Sequence, residues 1–307
     1  MTGQRAYMPE RRLLSIVACI FLGVLTWAGP VPADVLYVHS VEANRFWTGE
    51  EKGTLRVAYR RDAVLYDLQK AYTGSWMQRL FGEAKKERRS TLFLIDAGEI
   101  RDVAWASDKA FVYPLERVKD AQWLRSLVQT VPEVEEVVSQ RYEVRPPRLT
   151  VTETREEQRV EGYPCRKVVA HLQLETFDRK KNAVSITEVR QVMWLSQDVP
   201  GAADRLAARR SLSQRLGLDA ERLGNLGSLL EYWEGPLDPI RSELEKVHGY
   251  PVKTRVEVDA RYEPLDGKGR RVKKRIKEEA LVLKEVLTEI PENFAVIPSH
   301  FSVVRVR

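Results

Sequence analysis

The chain reads as an α+β protein: a mostly antiparallel sheet interrupted by a helical insert. Three patterns predict this. Val252, Thr254, Val256, Val258, Ala260 and Tyr262 alternate with Lys253, Arg255, Glu257, Asp259 and Arg261, the two-residue period of a strand with one packed and one wet face. Charged turns such as Asp178-Arg179-Lys180-Lys181-Asn182 separate such runs at hairpin spacing. From about Ala202 to His248 the period changes. Leu223, Leu226, Leu230 and Trp233, then Leu237, Ile240, Leu244 and Val247, recur at helical spacing.

The first thirty-three residues read as an export signal. Arg5, Arg11 and Arg12 supply a positive start, Leu13 to Trp27 is apolar without a charge, and Val31 and Ala33 fit the small-residue pattern of a cleavage site. The apolar run is shorter than the roughly 20 residues that span a bilayer, which favours a cleaved signal over an anchor. The expected mature chain starts at Asp34, is periplasmic and has no membrane span. Ile16-Val17-Ala18-Cys19 has the residue types of a lipoprotein signal, so a lipid anchor at Cys19 is the alternative. The apolar run, however, continues past Cys19 to Trp27. Arg11-Arg12 only faintly resembles a twin-arginine signal, because Glu10 and Ser15 depart from it.

Composition narrows the partners. The whole chain carries +6, and the leader removes Arg5, Arg11 and Arg12 against Glu10, so the mature chain is mildly basic with 44 acidic residues in the full sequence. That is not the footprint of a nucleic-acid binder. With 43% hydrophobic residues the chain can bury a core, and a single domain over 34–307 is expected. Cys165 alone remains after cleavage, so an intrachain disulfide is impossible and the thiol reads as a small buried side chain.

Along the mature chain, Leu55, Val57 and Tyr59 form a half-buried strand that turns at Arg61-Asp62 into Val64, Tyr66 and Leu68. A basic stretch, Lys85 to Arg89, precedes the apolar run Thr91 to Ile95. Glu99 to Trp105 and Ala110 to Leu115 flank a hairpin turn, and Val118, Ala121, Leu124 and Val128 suggest a short helix. Pro146-Pro147 marks a sheet edge or crossover. Strands follow over Leu149 to Arg159, Cys165 to Phe177 and Ala183 to Leu195. Pro200-Gly201 switches to helix, although Ala202 to Gly217 has a weak apolar face. Asp266-Gly267-Lys268-Gly269 turns into a strand ending at Leu287, and Phe294 to Val306 reads as the last strand. Gly162-Tyr163-Pro164 and Gly249-Tyr250-Pro251 echo each other as turns that open a strand.

Several of these segments carry a resemblance. Asp96-Ala97-Gly98-Glu99-Ile100 before Trp105, Gly162-Tyr163-Pro164-Cys165-Arg166-Lys167, Trp194 leading to Asp198-Val199-Pro200-Gly201, and Phe294-Ala295-Val296-Ile297-Pro298 resemble a family of exported bacterial domains of unknown function. That family is similar to LolA-like lipoprotein carriers. The resemblance implies a strongly curved, incomplete β-barrel with helices across its open side, and it brings no catalytic residues. The long insert departs from the minimal version of such a fold.

No catalytic constellation is present. His39, His171, His248 and His300 lack metal-ligand spacing, and no nucleophile elbow, phosphate-cradling glycine loop or dinucleotide fingerprint occurs. Cys165 and His171 share a strand face but lie six residues, roughly 20 Å, apart. The expectation is a non-enzyme without cofactor or metal that binds a lipid or acyl chain in the concavity of its sheet. The alternative is an envelope scaffold acting through a protein partner. Arg270, Arg271, Lys273, Lys274, Arg275 and Lys277 are the densest charge feature, expected either to contact an anionic surface or to keep an edge hairpin solvated.

Overall fold

The computed structural model describes residues 34–46, 49–72, 86–119, 141–216, 241–244, 246–266, 271–292, 294 and 296–306. The export segment with Cys19, the helical reading from Ala121 to Val128, the repeats from Leu223 to Ile240 and the turn at Gly267 to Arg270 lie outside them.

Thirteen strands form one sheet: β1 (Val35–Arg45), β2 (Gly49–Arg60), β3 (Ala63–Tyr72), β4 (Lys86–Leu94), β5 (Glu99–Ala104), β6 (Lys109–Pro114), β7 (Tyr142–Val144), β8 (Arg148–Val160), β9 (Tyr163–Asp178), β10 (Ala183–Ser196), β11 (Tyr250–Pro264), β12 (Val272–Leu287) and β13 (Ser302–Arg305). Their order is β13-β6-β5-β4-β3-β2-β1-β12-β11-β10-β9, with β7 and β8 both pairing to β9. Every ladder is antiparallel except β13 on β6. Pro146 and Pro147 sit between β7 and β8, at the edge where prolines cost no ladder bond. The α+β class with a curved, open, mostly antiparallel sheet is thus observed. The helical part among the described residues is α1 (Ala202–Leu216) and the single turn α2 (Arg241–Leu244).

The sheet curls, and the residues responsible are identifiable. Register shifts occur at Val38/His39, Trp194/Leu195, Val258/Asp259 and Glu153/Glu157, and such bulges bend a strand and increase its twist. Gly53 permits a close approach of β2 to β3, since a Cβ there would stand 2.1 Å from the carbonyl oxygen of Gln69. Curvature shows directly in the rings. β1 and β11 are separated by β12, roughly 10 Å between strand axes, yet Tyr37 and Tyr250 stack at 4.2 Å between centroids.

Side chains divide into two layers. On the concave face one cluster joins Val35, Tyr37, Val57, Tyr59, Val64, Val252 and Leu283 to Val199 and Ala208 of the α1 region. Beside it, β8 to β11 contribute Leu149, Val168, Leu172, Val189, Met193 and Val256, with Val247. On the convex face Leu36, Ala58, Ala63, Leu65, Leu92 and Val103 are covered by Phe301, Phe294 and Ile297 of the C-terminal segment.

This corrects one reading. Phe294 to Val306 is not one strand: only Ser302–Arg305 pairs, because the preceding stretch turns at Pro291 and Pro298 and spends its apolar side chains on the convex face. A 3-10 turn at Leu115–Lys119 leads into the segment read as a short helix, which from residue 120 lies outside the described residues. β1 is the strand that alternation misses. Its neighbours Val35, Leu36 and Tyr37 are all buried, since consecutive side chains enter opposite layers and both layers are covered.

Candidate functional site

The concave face is closed at one end by α1, and the closure is aromatic and cationic. Gly201 starts the turn with φ +75, and a Cβ there would run into Val35, so the helix can begin tight against β1. α1 then presents Arg205, Ala208, Arg209 and Leu212 to the sheet, an i, i+3, i+4, i+7 stripe in which two positions are arginine. That is why its apolar face looks weak in sequence.

Each of these two guanidiniums lies against a tyrosine. Arg205 sits 5.0 Å from the ring centroid of Tyr250 and donates to the carbonyl oxygen of Gly249 at 3.3 Å. Arg209 lies 5.7 Å from the ring centroid of Tyr59 and donates to its hydroxyl at 3.4 Å. Tyr37 meets Tyr59 edge-on at 5.8 Å, and its hydroxyl donates to the carbonyl of Pro200 at 2.9 Å. The Tyr250 hydroxyl lies 2.6 Å from Nε2 of His39. Burial holds the Tyr37, Tyr66 and Tyr250 phenols above their ordinary range, lowers His39 to about 4, and pushes Arg205 down, helped by Arg209. At neutral pH the phenols and His39 are therefore uncharged, while the arginines stay cationic.

Two nitrogens in this cluster are buried without a hydrogen-bond partner among the described residues: Nδ1 of His39 and Nε of Arg205. Such atoms cost free energy, about 1–3 kcal/mol for a neutral group. Farther along the same face, the insert returns through α2, where Glu243 accepts from the backbone N–H of Val151 at 2.5 Å.

The residues singled out from sequence are placed as follows. Cys165 is buried, free and raised in pKa by burial; its thiol faces the carbonyl of Tyr163. Among the described residues no group of three or more His, Cys, Asp or Glu could hold a metal ion. Lys273, Lys274, Arg275 and Lys277 lie on β12, where Lys273 and Arg275 meet acids of β11 across the ladder and Arg275 and Lys277 meet acids of β12 itself. Arg275 pairs with Asp259, Glu257 and Glu278, Lys273 with Asp259, and Lys277 with Glu279, while Lys274 lies 3.0 Å from the Phe46 ring centroid. Arg271 is exposed and Arg270 lies outside the described residues. The tyrosine–arginine cluster was not visible in sequence, because its members come from β1, β2, β11 and α1.

No protein-family model and no curated protein matches the chain. Among solved structures, it is similar to the crystal structure of LolA superfamily protein NE2245 from Nitrosomonas europaea, with 9% identity over 87% of this chain and 91% of that one, at a TM-score of 0.23. The fold described above rests on the strand pairing, not on that likeness. No helix among the described residues is long and apolar enough to cross a membrane.

Proposed function

We propose that this chain is a non-enzymatic envelope protein that binds or carries an apolar ligand, a lipid or acyl chain, against the concave face of its sheet. In this reading it is exported, cleaved after Ala33 and periplasmic. The observation that carries it is the nature of the α1 closure. A broad apolar face is covered by a helix that brings Ala208 and Leu212 to it and otherwise meets it through the cation–π contacts and hydrogen bonds of Arg205 and Arg209. Nε of Arg205 is left without a hydrogen-bond partner among the described residues. Such a seal is worth about 0.5–2 kcal/mol per cation–π pair, which leaves the helix able to lift without unfolding the sheet.

Native mass spectrometry and lipid extraction of the purified protein test the reading, together with uptake of a fluorescent fatty acid. The Arg205→Ala/Arg209→Ala variant is expected to take up the probe faster than the parent chain. Absence of any extractable apolar species, with no uptake by either protein, would sink it.

A second reading has its own observation. β13 ends the sheet with Val303 and Val304 exposed, a strand edge suited to pairing with a protein partner. Crosslinking from position 303 in intact cells distinguishes it by recovering one defined protein.

A further inference from the structure

We infer that a cleft on the convex face, between β2, β3, β4 and the turn at Trp105, binds a phosphate monoester carried on an apolar body. The phosphate lies between Lys52 and Lys86, and the body lies against Trp105.

Register builds the cleft. Lys52, Ala71 and Lys86 form one row across β2, β3 and β4, and Thr54, Gln69 and Arg88 form the next. Two strand spacings put Lys52 and Lys86 roughly 10 Å apart, on either side of the Ala71 methyl. A hollow of about 520 Å³ results, within the size range of small-ligand sites.

The wall is held by a buried network rather than by chance contact. The carboxylate of Asp67, with no exposed side-chain surface, accepts from Nε of Arg88 at 2.9 Å, Oγ of Ser90 at 2.7 Å and Nε2 of Gln69 at 3.1 Å. Ser90 Oγ in turn accepts from Nε1 of Trp105 at 2.7 Å. The Arg88 guanidinium lies 3.7 Å from the Trp105 ring centroid, and Phe301 meets the indole edge-on at 5.3 Å. Indole and guanidinium are thus fixed before any ligand arrives.

The charge balance then selects an anion. Arg88 is neutralised by Asp67, and Lys70 is turned to Glu51 and Glu87. Glu87, the one acid among the described lining residues, also accepts from the hydroxyl of Tyr72 on the concave face. Lys52 has only Glu42, at 3.8 Å with both side chains exposed, and Lys86 has no ion partner among the described residues. One unpaired ammonium and one held only in an exposed pair, which a dianion can displace, flank a hollow walled by an indole, with Thr54 in its lining. Flexible lysine stems can close on one dianionic tetrahedral head. This site is on the opposite face from the concave surface and is independent of the function proposed above.

Calorimetric titration of the full mature chain with phenyl phosphate and with inorganic phosphate tests the site. Flotation with zwitterionic vesicles doped with phosphatidic acid forms a second arm. K52Q/K86Q is expected to weaken the binding observed by about tenfold or more, as loss of two charge-assisted contacts implies. W105F should weaken phenyl phosphate but not inorganic phosphate. K273Q/K274Q, with the same charge change on β12, is the control. A lysine-dependent response to phenyl phosphate alone identifies a soluble ester, and one to vesicles alone identifies a lipid headgroup; both support the site. If neither probe binds, or K52Q/K86Q behaves as the control does with unchanged thermal unfolding, the inference is overturned.

Discussion

The two faces of the sheet bury charge in opposite ways. On the convex face Asp67 is enclosed by Arg88, Arg56, Ser90 and Gln69, so the buried carboxylate meets cations and hydroxyl together. On the concave face the half-buried Arg205 and the buried Arg209 meet ring faces, a phenol and a backbone carbonyl. A buried ion with a full set of partners is costly to disturb, whereas a guanidinium on a ring gives a weaker and more separable contact. The convex network therefore serves as scaffold, and in the function proposed above the concave closure is the part that opens.

Breaking the scaffold side should have the largest effect. Asp67→Ala takes the acceptor from buried Ser90 and from the half-buried Arg88 and Gln69, and chemical unfolding is expected to show a loss of about 3 kcal/mol as the network breaks. A loss under about 1 kcal/mol, the range of an exposed pair, would show the network to be dispensable.

The concave side is sharpened by acid. Burial holds His39 at about 4, against 6.5 for a free imidazole, so the unfolded chain takes up the proton first. The contribution is complete above 6.5 and is lost as pH falls from there to about 4, by a total on the order of 3 kcal/mol. Urea unfolding across that interval should show His39→Gln with a shallower fall than the parent chain. Parallel curves would remove His39 from the buried set.

The smallest effect belongs to the β12 cations. Arg275 is exposed and shares three acids with its neighbours, so Arg275→Gln should cost less than about 1 kcal/mol, a cost that shrinks further in high salt. A salt-independent loss above that would mark Arg275 as structural.

Legibility in the sequence followed one-sided burial. β8 to β12 alternate because one face packs and the other is wet, and their bounds fall within a few residues of the pattern. β1 was invisible because both its faces pack. The candidate site was poorly legible for a related reason. Arg205 and Arg209 look like a solvated helix face until Tyr59 and Tyr250 are brought beneath them. Lys52 and Lys86 are inconspicuous beside the dense run at 270–277, yet Lys273, Arg275 and Lys277 of that run have acids beside them, and Lys86 has none among the described residues.

Sequence by itself determined the strand period, the turn positions and hence an antiparallel α+β sheet, because these depend on neighbours within a few residues. Only the tertiary structure decided that β1 joins β2 to β12, that α1 rests its arginines on tyrosines, and that Asp67 locks Trp105. Those outcomes depend on register and curvature, which set partners far apart in the chain and leave no local period to read.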